Sequence, residues 1–345
     1  MKMWSKTPAL RISVAIALIP IITFSLHLVR MNTSATPDFP CDYKSKSSTN
    51  IHVETGQSGS EIARTLYQAG VIKSSEAYFR IAVSDPRSQK VAPGNHRIDI
   101  GICAKTALDQ LLDTSRISGL INIVEGAWLS ELTPQFRAAN FSDTEIAQAL
   151  KELQKPEGFT SVEGLLFPAQ YSFAKDTSAL SALQSMVNRA SDEMKKAGFF
   201  TSKEKFTPYQ FLIIASLVQA EGNTEDFSKI SQVIRNRLTK GMPLQFDSTV
   251  HYVKKSRGSV FLSTQSTLIN SPYNTYRRYG LPPGPINNPG ADALRAATHP
   301  TAGDWLYFIT VAPFDTRFTS DINQFNNWKI EYKKNLRAGK FRSSE

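Results

Sequence analysis

One segment, TPYQFLIIASLVQAEGN from Thr207 to Asn223, limits the folds open to this chain more than any other. Thr207 is suited to cap a helix, and Pro208 is suited to its first position. The residues from Phe211 to Val218 are apolar on almost every face, and such a helix is stable only when other elements surround it. The segment therefore predicts a helix buried in a core that the rest of the chain must supply.

The rest of the chain is long enough to supply that core. Its 345 residues allow two modest domains, and interspersed strand-like and helical segments predict a mixed α+β fold. The 40 Lys and Arg residues exceed the 30 Asp and Glu residues, which indicates an anionic partner such as nucleic acid, an acidic membrane surface or a wall polymer. The five histidines show no paired-ligand spacing, so neither a metal site nor a cofactor is expected.

The apolar run from Ile12 to Val29 decides the expected compartment. Its eighteen residues are near the minimum that crosses a hydrocarbon core, and the basic residues before it, up to Arg11, predict a cytoplasmic N-terminus. A cleaved signal peptide is the alternative. In both cases the following chain lies outside the cytoplasm, which argues against nucleic acid as the partner. There, Cys41 and Cys103 either form one disulfide or remain two buried thiols.

Composition and pattern divide the chain into segments. After the apolar run the sequence is polar and unpatterned, which is typical of a linker. It then shows an alternating strand, IHVET, and the capping-box spacing of Ser58 and Glu61, which predict a small α/β module. A larger mixed domain follows, with a helix striped by apolar residues near Thr177 to Ala197. The predicted segments are a cytoplasmic tail (1–11), a transmembrane anchor (12–29), a linker (30–50), the module (51–116) and the larger domain (117–345).

Glu221 is the candidate that carries chemistry. It lies at the last turn of the predicted buried helix, before Gly222 as the stop. Desolvation and the negative end of the helix dipole both disfavour its carboxylate, so both raise the pKa of Glu221. A general acid requires a carboxyl that is protonated near neutral pH. The alternative is that Glu221 closes a helix end with its carboxylate in water.

Polar side chains suited to a cleft follow this helix. A second helix from about Thr224 would project Asn236 and Arg237. The next segment, LQFDST, alternates polar and apolar residues as a strand does, and its polar residues include Gln245 and Asp247. Asp247 is the nearest candidate for a second carboxylate. This strand either lines a cleft or is an ordinary surface strand.

A rigid loop rich in Pro and Gly comes next, with the sequences SPYNTY and GLPPGPI. It holds aromatic, amide and hydroxyl side chains together, a set that suits the apolar faces and hydroxyls of a sugar ring. A structural turn with packing tyrosines is the alternative. The side chains concerned are Tyr273, Asn274, Thr275 and Tyr276.

At these segments the sequence resembles the YceG-like family, the endolytic murein transglycosylases. The similarity is close over ASLVQAEG, VIRNRL, GMPLQFDSTV, SPYNTY, GLPPGPINNPGADALRAATHP and WLYF, and weaker over IVEG and EGLLFP. The small module looks like the family's LysM-like portion, and an N-terminal transmembrane helix is also typical. The resemblance therefore covers nearly all of the chain after the linker, and the order of the blocks makes it specific.

The resemblance implies a function. It implies cleavage within peptidoglycan glycan strands, between N-acetylmuramic acid and N-acetylglucosamine, to leave 1,6-anhydromuramic ends and terminate nascent strands. Glu221 would act first as acid and then as base, so no second carboxylate is required. A single-pass membrane protein with an extracytoplasmic catalytic domain is expected, and peptidoglycan synthases are expected partners. The residues that would hold the strand are Asn236, Arg237, Gln245, Asp247, Tyr273, Asn274, Thr275 and Tyr276.

Several positions depart from the family's pattern. Gln219 stands where the family has a glutamate, which removes a like charge beside Glu221. Ala169 and Gln170 replace the acid and the hydroxyl of FPDTY, and an EHN-like stretch appears as Gln324-Phe325-Asn326. Two alternatives therefore stay open: a wall-binding scaffold without activity, and a muramidase-type hydrolase in which Asp247 activates water.

Overall fold

The computed structural model describes residues 36–42, 45, 47–173, 176–257 and 263–341. The predicted cytoplasmic tail and the anchor at 12–29 lie outside the described residues. Within the described ranges, no helix has the length and apolar character that a bilayer crossing needs. The chain separates into two compact units between Ile117 and Ser118.

The smaller unit has helices beside a three-stranded sheet of order β1–β2–β3. Its β1 and β2 are antiparallel, with Ile51 opposite His96. Ser58 and Glu61 form the predicted capping box at the start of α1. The elements are β1 (Ser48–Val53), α1 (Gly59–Gln68), α2 (Ser75–Ser84), β2 (Gly94–Asp99), α3 (Ala104–Leu112) and β3 (Ile117–Ser118).

A disulfide joins Cys41 to Cys103, so of the two alternatives for these cysteines the structure has the bridge. The bridge spans a sequence separation of 62 residues. Closing a loop of that length stabilises a fold by about 4 kcal/mol in the chain-entropy account. Nearby, the Asp38 carboxylate accepts a hydrogen bond from the Ala104 amide at 3.1 Å. Both contacts fasten residues 38–41 to the start of α3.

The larger unit combines helices with two small antiparallel sheets, so the predicted mixed α+β class is confirmed. One sheet pairs β4 with β5 and the other pairs β6 with β7. The elements are β4 (Leu120–Ile123), α4 (Leu129–Ala138), α5 (Asp143–Glu152), β5 (Ala169–Ser172), α6 (Ala179–Lys196), α7 (Pro208–Glu221), α8 (Phe227–Thr239), α9 (Asp247–Lys254), α10 (Ala291–Thr298), β6 (Tyr307–Ala312), β7 (Asp315–Thr319) and α11 (Ile322–Arg337).

Helix α7 is buried in the core of this unit, as predicted. Its residues from Phe211 to Val218 are at most 3% exposed, and α8 and α10 pack against it. The Pro-rich loop is fastened to the helix at Ser216. Its hydroxyl accepts a hydrogen bond from the Ile286 amide at 3.1 Å, and its carbonyl accepts one from Asn287 Nδ2 at 2.8 Å. The loop is therefore held rigidly beside the end of α7.

The prediction of a strand over LQFDST is wrong. The backbone turns at Gln245, where φ is +51°, and α9 begins at Asp247. The Phe246 amide donates to Thr275 Oγ1 at 2.9 Å, and Thr249 Oγ1 donates to the Phe246 carbonyl at 2.7 Å. These bonds to the loop and to the first helical turn take the place of a strand partner. The alternation of polar and apolar residues reflects a turn that enters a helix.

Candidate active site

The end of α7 sets the position of Glu221. Glu221 is the last helical residue, and Gly222 follows with an extended backbone (φ −161°, ψ −174°), not with the left-handed conformation common at helix ends. A Cβ atom on Gly222 would lie 2.3 Å from Cδ1 of Ile230. The helix thus stops at the predicted residue, and a side chain at this position would require the end of the Ile230 side chain on α8 to move.

Glu221 is half-buried, and Ser248 Oγ donates a hydrogen bond to its Oε1. Burial raises the pKa of Glu221 to about 7. The Ser248 hydrogen bond lowers this pKa, the Asp247 charge raises it and the Arg237 charge lowers it. A carboxyl with this pKa is protonated in about half of the molecules at neutral pH. It is therefore able to give up a proton and to take one back.

Ser248→Ala should raise the pKa of Glu221 further, because the substitution removes the hydrogen bond that favours the carboxylate. The measurement is an NMR titration of isotope-labelled glutamate carboxyls. Ser320→Ala is the control, since the Ser320 hydroxyl donates to Asp304 instead. A Glu221 titration that is the same in Ser248→Ala and in wild type would contradict the assigned electrostatics.

Three predicted site residues have exposed or half-buried side chains, and two of them, Asp247 and Tyr276, lie near Glu221. Asp247 is the exposed first residue of α9, and Tyr276 Oη donates a hydrogen bond to its Oδ1. Gln245 is exposed, and its amide donates to the Thr275 carbonyl at 3.1 Å. The charges of Asp247 and Tyr276 both interact with Glu221.

The predicted residues of the SPYNTY loop mainly hold the loop itself. Asn274 is fully buried, and its Nδ2 donates to the carbonyls of Thr267 and Ile269 at 3.0 and 2.8 Å. Thr275 is 1% exposed and accepts from the Phe246 amide. Tyr273 is half-buried, with its ring centroid 5.2 Å from that of Tyr252. Asn274 and Thr275 therefore use their side chains within the protein.

Asn236 and Arg237 also bond to the backbone. Asn236 Nδ2 donates to the carbonyls of Gly303 and Trp305 at 3.0 and 2.8 Å. Arg237 is 7% exposed, and its Nε and Nη1 donate to the carbonyls of Leu306 and Leu244 at 2.7 and 2.6 Å. These hydrogen bonds join α8 to residues 303–306 and to Leu244. Although Arg237 is buried, its positive charge lowers the pKa of Glu221.

A cavity of about 350 Å³ adjoins the Ser248–Glu221 pair, and the sequence did not predict most of its walls. The Arg257 guanidinium lies 4.1 Å from the centroid of the Trp128 ring and donates to the Gly126 carbonyl at 2.6 Å. The IVEG block was the available signal, because its glycine turn leads straight to Trp128. Side chains on the cavity wall are Glu125, Trp128, Gln219, Ser248, His251 and Arg257.

Two of the departures from the family's pattern, Gln219 and Phe325, lie close to the residues described above. Gln219 lines the cavity, and its Oε1 accepts a hydrogen bond from the Gly290 amide at 2.9 Å. A carboxylate there would add a negative charge two positions from Glu221. The Phe325 ring stacks on Tyr307 at 5.1 Å, and the Arg237 guanidinium lies 5.5 Å from the Tyr307 ring centroid. Ala169 opens β5, opposite Ile123.

The chain is similar to known proteins over most of its length. A model described as the YceG-like family matches residues 51–331. An endolytic murein transglycosylase of Bacillus subtilis is 32% identical over 320 residues, which covers 85% of this chain and 87% of the relative. An endolytic murein transglycosylase of Streptococcus pneumoniae is 29% identical over 306 residues, which covers 78% of this chain and 55% of that protein.

A crystal structure adds a similarity of fold. A YceG-like protein of Listeria monocytogenes superposes with a TM-score of 0.54 at 25% identity, and the match covers 82% of this chain and 99% of that one. The family match and the identity to the Bacillus protein each extend over most of the chain. We conclude that the chain belongs to the YceG-like family.

Proposed function

We propose that this protein is an endolytic lytic transglycosylase of peptidoglycan, with Glu221 as its catalytic acid and base. The main support is the Glu221 carboxyl, whose pKa of about 7 suits both roles and whose hydrogen-bond partner, Ser248, lines a cavity in the larger unit. Membership of the YceG-like family and relatives named endolytic murein transglycosylases support the same reaction.

In the first step, neutral Glu221 donates its proton to the oxygen that links C1 of N-acetylmuramic acid to N-acetylglucosamine. The C1–O bond breaks, and N-acetylglucosamine leaves with a hydroxyl. In the second step, the Glu221 carboxylate takes the proton of the C6 hydroxyl while that oxygen bonds to C1. The products are a 1,6-anhydro ring and a glutamic acid that is protonated again. The Ser248 hydrogen bond stabilises the carboxylate between the two steps.

Gln245, Asp247 and Tyr276 are proposed to hold the strand directly, because their side chains are exposed or half-buried and the last two interact with the charge of Glu221. Tyr273 offers a half-buried aromatic ring on the rigid loop. Asn236, Arg237, Asn274 and Thr275 are proposed to shape the cleft by fixing its backbone, since their side chains already bond to carbonyl or amide groups of the protein.

A hydrolase is the second candidate, and the observation that favours it is the Asp247 carboxylate beside Glu221. In that reaction Asp247 would activate a water molecule for attack on C1. The Tyr276 hydroxyl donates a hydrogen bond to this carboxylate. The two reactions differ in their products, because only the hydrolase adds the elements of water.

The test is to incubate the full chain with purified sacculi and analyse the released muropeptides by mass spectrometry. We expect anhydromuramoyl ends, each lighter by one water than the reducing end that a hydrolase leaves. Reducing ends in their place would establish the hydrolase. No new ends of either kind at high protein concentration would indicate a wall-binding scaffold.

The proposed location is the outer face of the cell membrane, with residues 12–29 as a single anchor and the N-terminus in the cytoplasm. The Cys41–Cys103 disulfide supports an oxidising compartment, and the net charge of +10 suits an anionic wall or lipid surface. The smaller unit is proposed to be a LysM-like module. Peptidoglycan synthases, which make the strands, are the proposed partners.

A further inference from the structure

The larger unit contains a second buried carboxyl, Glu163, which the reaction at Glu221 does not use. Glu163 is only 5% exposed. The next residue, Gly164, has φ +87°, and a Cβ on it would lie 2.8 Å from Cβ of Pro285. Glu163 therefore sits on a turn pressed against the Pro-rich loop, and the direction of its side chain is closely determined.

Each oxygen of Glu163 is bonded to a different part of the site. Oε1 accepts a hydrogen bond from the Leu129 amide at 2.9 Å, and Leu129 begins α4 directly after the cavity residue Trp128. Oε2 accepts from Tyr252 Oη at 3.1 Å. Tyr252 lies on α9, one helical turn after Ser248. One side chain thus joins the Trp128 wall of the cavity to the helix that carries the partner of Glu221.

Tyr252, on α9, contacts both Glu163 and the Trp128 wall of the cavity. Its ring meets the Trp128 ring edge-on at 5.9 Å and packs against the Tyr273 ring at 5.2 Å. The hydrogen bond to Glu163 fixes the far end of the same ring. A shift of Tyr252 would move α9, and with it Ser248, relative to Glu221.

From these contacts we propose that Glu163 is a positioning residue, which acts through Tyr252 to hold α9 and the Trp128 wall in place against Glu221. This inference rests on the proposed function, because it concerns the same reaction. Glu163 itself contacts neither the proposed proton donor nor the cleaved bond. Its effect is to keep Ser248 within hydrogen-bonding distance of Glu221 and to keep the cavity at its width.

The charge state of Glu163 makes the arrangement sensitive to pH. Burial raises the pKa of Glu163 to about 7; the Leu129 amide and the Tyr252 hydroxyl lower it, Glu131 on α4 raises it, and Arg257 lowers it. Tyr273 also faces this carboxyl from the loop. Since the pKa is higher in the folded protein, the stability that depends on the neutral carboxyl is present in acid and is lost as the pH rises through about 7.

The kinetic test compares Glu163→Ala, Glu163→Gln and Tyr252→Phe in the full chain, with sacculi as substrate. Glu163→Ala should lower kcat by about 10- to 100-fold, because a small displacement of catalytic groups has effects of that size. Glu163→Gln should restore most of kcat, since the amide oxygen still accepts from Leu129 and the Tyr252 hydroxyl can accept from the amide group. Tyr252→Phe keeps the aromatic ring but loses the hydroxyl, so its kcat should lie between those of Glu163→Ala and Glu163→Gln.

The double variant Glu163→Ala with Tyr252→Phe should be no slower than Glu163→Ala alone, because both changes break one connection. Leu183→Ala on α6, which removes a fully packed core side chain, is the control for simple destabilisation. Per folded molecule it should cleave at the wild-type kcat. Independent losses that add up in the double variant, or a Glu163→Ala loss no larger than that of Leu183→Ala, would overturn the proposal.

A second measurement needs no substrate. In a Glu221→Gln background, which removes the other carboxyl of the described residues whose pKa is raised to about 7, Tm should fall as the pH rises through about 7. Adding Glu163→Gln should remove that fall. A Tm with no such fall while Glu163 is present would defeat the inference. Failure of wild type to release anhydro ends would instead defeat the proposed function, so the two failures are distinguishable.

Discussion

Glu221→Gln should lower the rate of glycan cleavage by at least about 100-fold, the lower range for removal of a general acid or base. Glutamine has nearly the same shape, but it carries no proton to donate to the glycosidic oxygen and cannot accept one from the C6 hydroxyl. Its amide oxygen can still accept from Ser248 Oγ. We therefore expect wild-type folding and wild-type binding to sacculi, with anhydro ends reduced to background.

The matched control is Glu225→Gln, the same substitution at an exposed glutamate four positions later. It should cleave at the wild-type rate. Release of anhydro ends by Glu221→Gln at a rate close to wild type would remove Glu221 from the mechanism, whatever the similarity to the family.

The same substitution should change how stability depends on pH. The pKa of Glu221 is higher in the folded protein, at about 7, than in an unfolded chain. Its contribution to stability is therefore complete in acid and is lost as the pH rises through about 7. In Glu221→Gln the fall of Tm across this range should be smaller, and it should be Glu163 that causes the remainder.

Arg237→Met should lower the free energy of unfolding substantially. It removes the donors that pair with the carbonyls of Leu306 and Leu244 and leaves both carbonyls without their partner in the buried region. An unpaired buried group costs about 1–3 kcal/mol, so for the two carbonyls we expect a loss of about 2–6 kcal/mol. Methionine fills part of the volume, which limits any loss from a cavity.

Activity should fall for a separate reason. The Arg237 charge lowers the pKa of Glu221, so its loss should raise that pKa and make Glu221 a weaker acid in the first step. Arg237→Lys keeps a charge, but its single ammonium group lacks the planar fork that reaches two carbonyls. We expect Arg237→Lys to restore the wild-type pKa of Glu221 more fully than it restores the free energy of unfolding.

The measurements are chemical denaturation and the pH profile of cleavage. Arg277→Met is the matched control, because the exposed Arg277 also donates to a carbonyl, that of Leu268 at 2.7 Å, where water can replace it. Arg277→Met should lower the free energy of unfolding by less than about 1 kcal/mol. A similar loss of stability in both variants would contradict the buried bridging role given to Arg237.

Much of the fold could be predicted because its determinants are local. Thr207 and Gln210 form a capping box at one end of α7, and the apolar residues that follow require burial wherever the helix packs. Ser58 and Glu61 define the start of α1 in the same way. These patterns involve residues a few positions apart. The place of Glu221 at the end of a buried helix, and the direction of its pKa, followed from them.

The partners of the two buried carboxyls depend on packing between distant segments. Ser248 is 27 positions from Glu221, and Tyr252 is 89 positions from Glu163. The LQFDST segment was predicted wrongly because a turn entering a helix and a half-buried strand share the same alternation; the left-handed backbone of Gln245 separates them. Hydropathy reports which side chains avoid water. Which oxygen meets which donor depends on where several elements come to rest together, and only the folded chain specifies that.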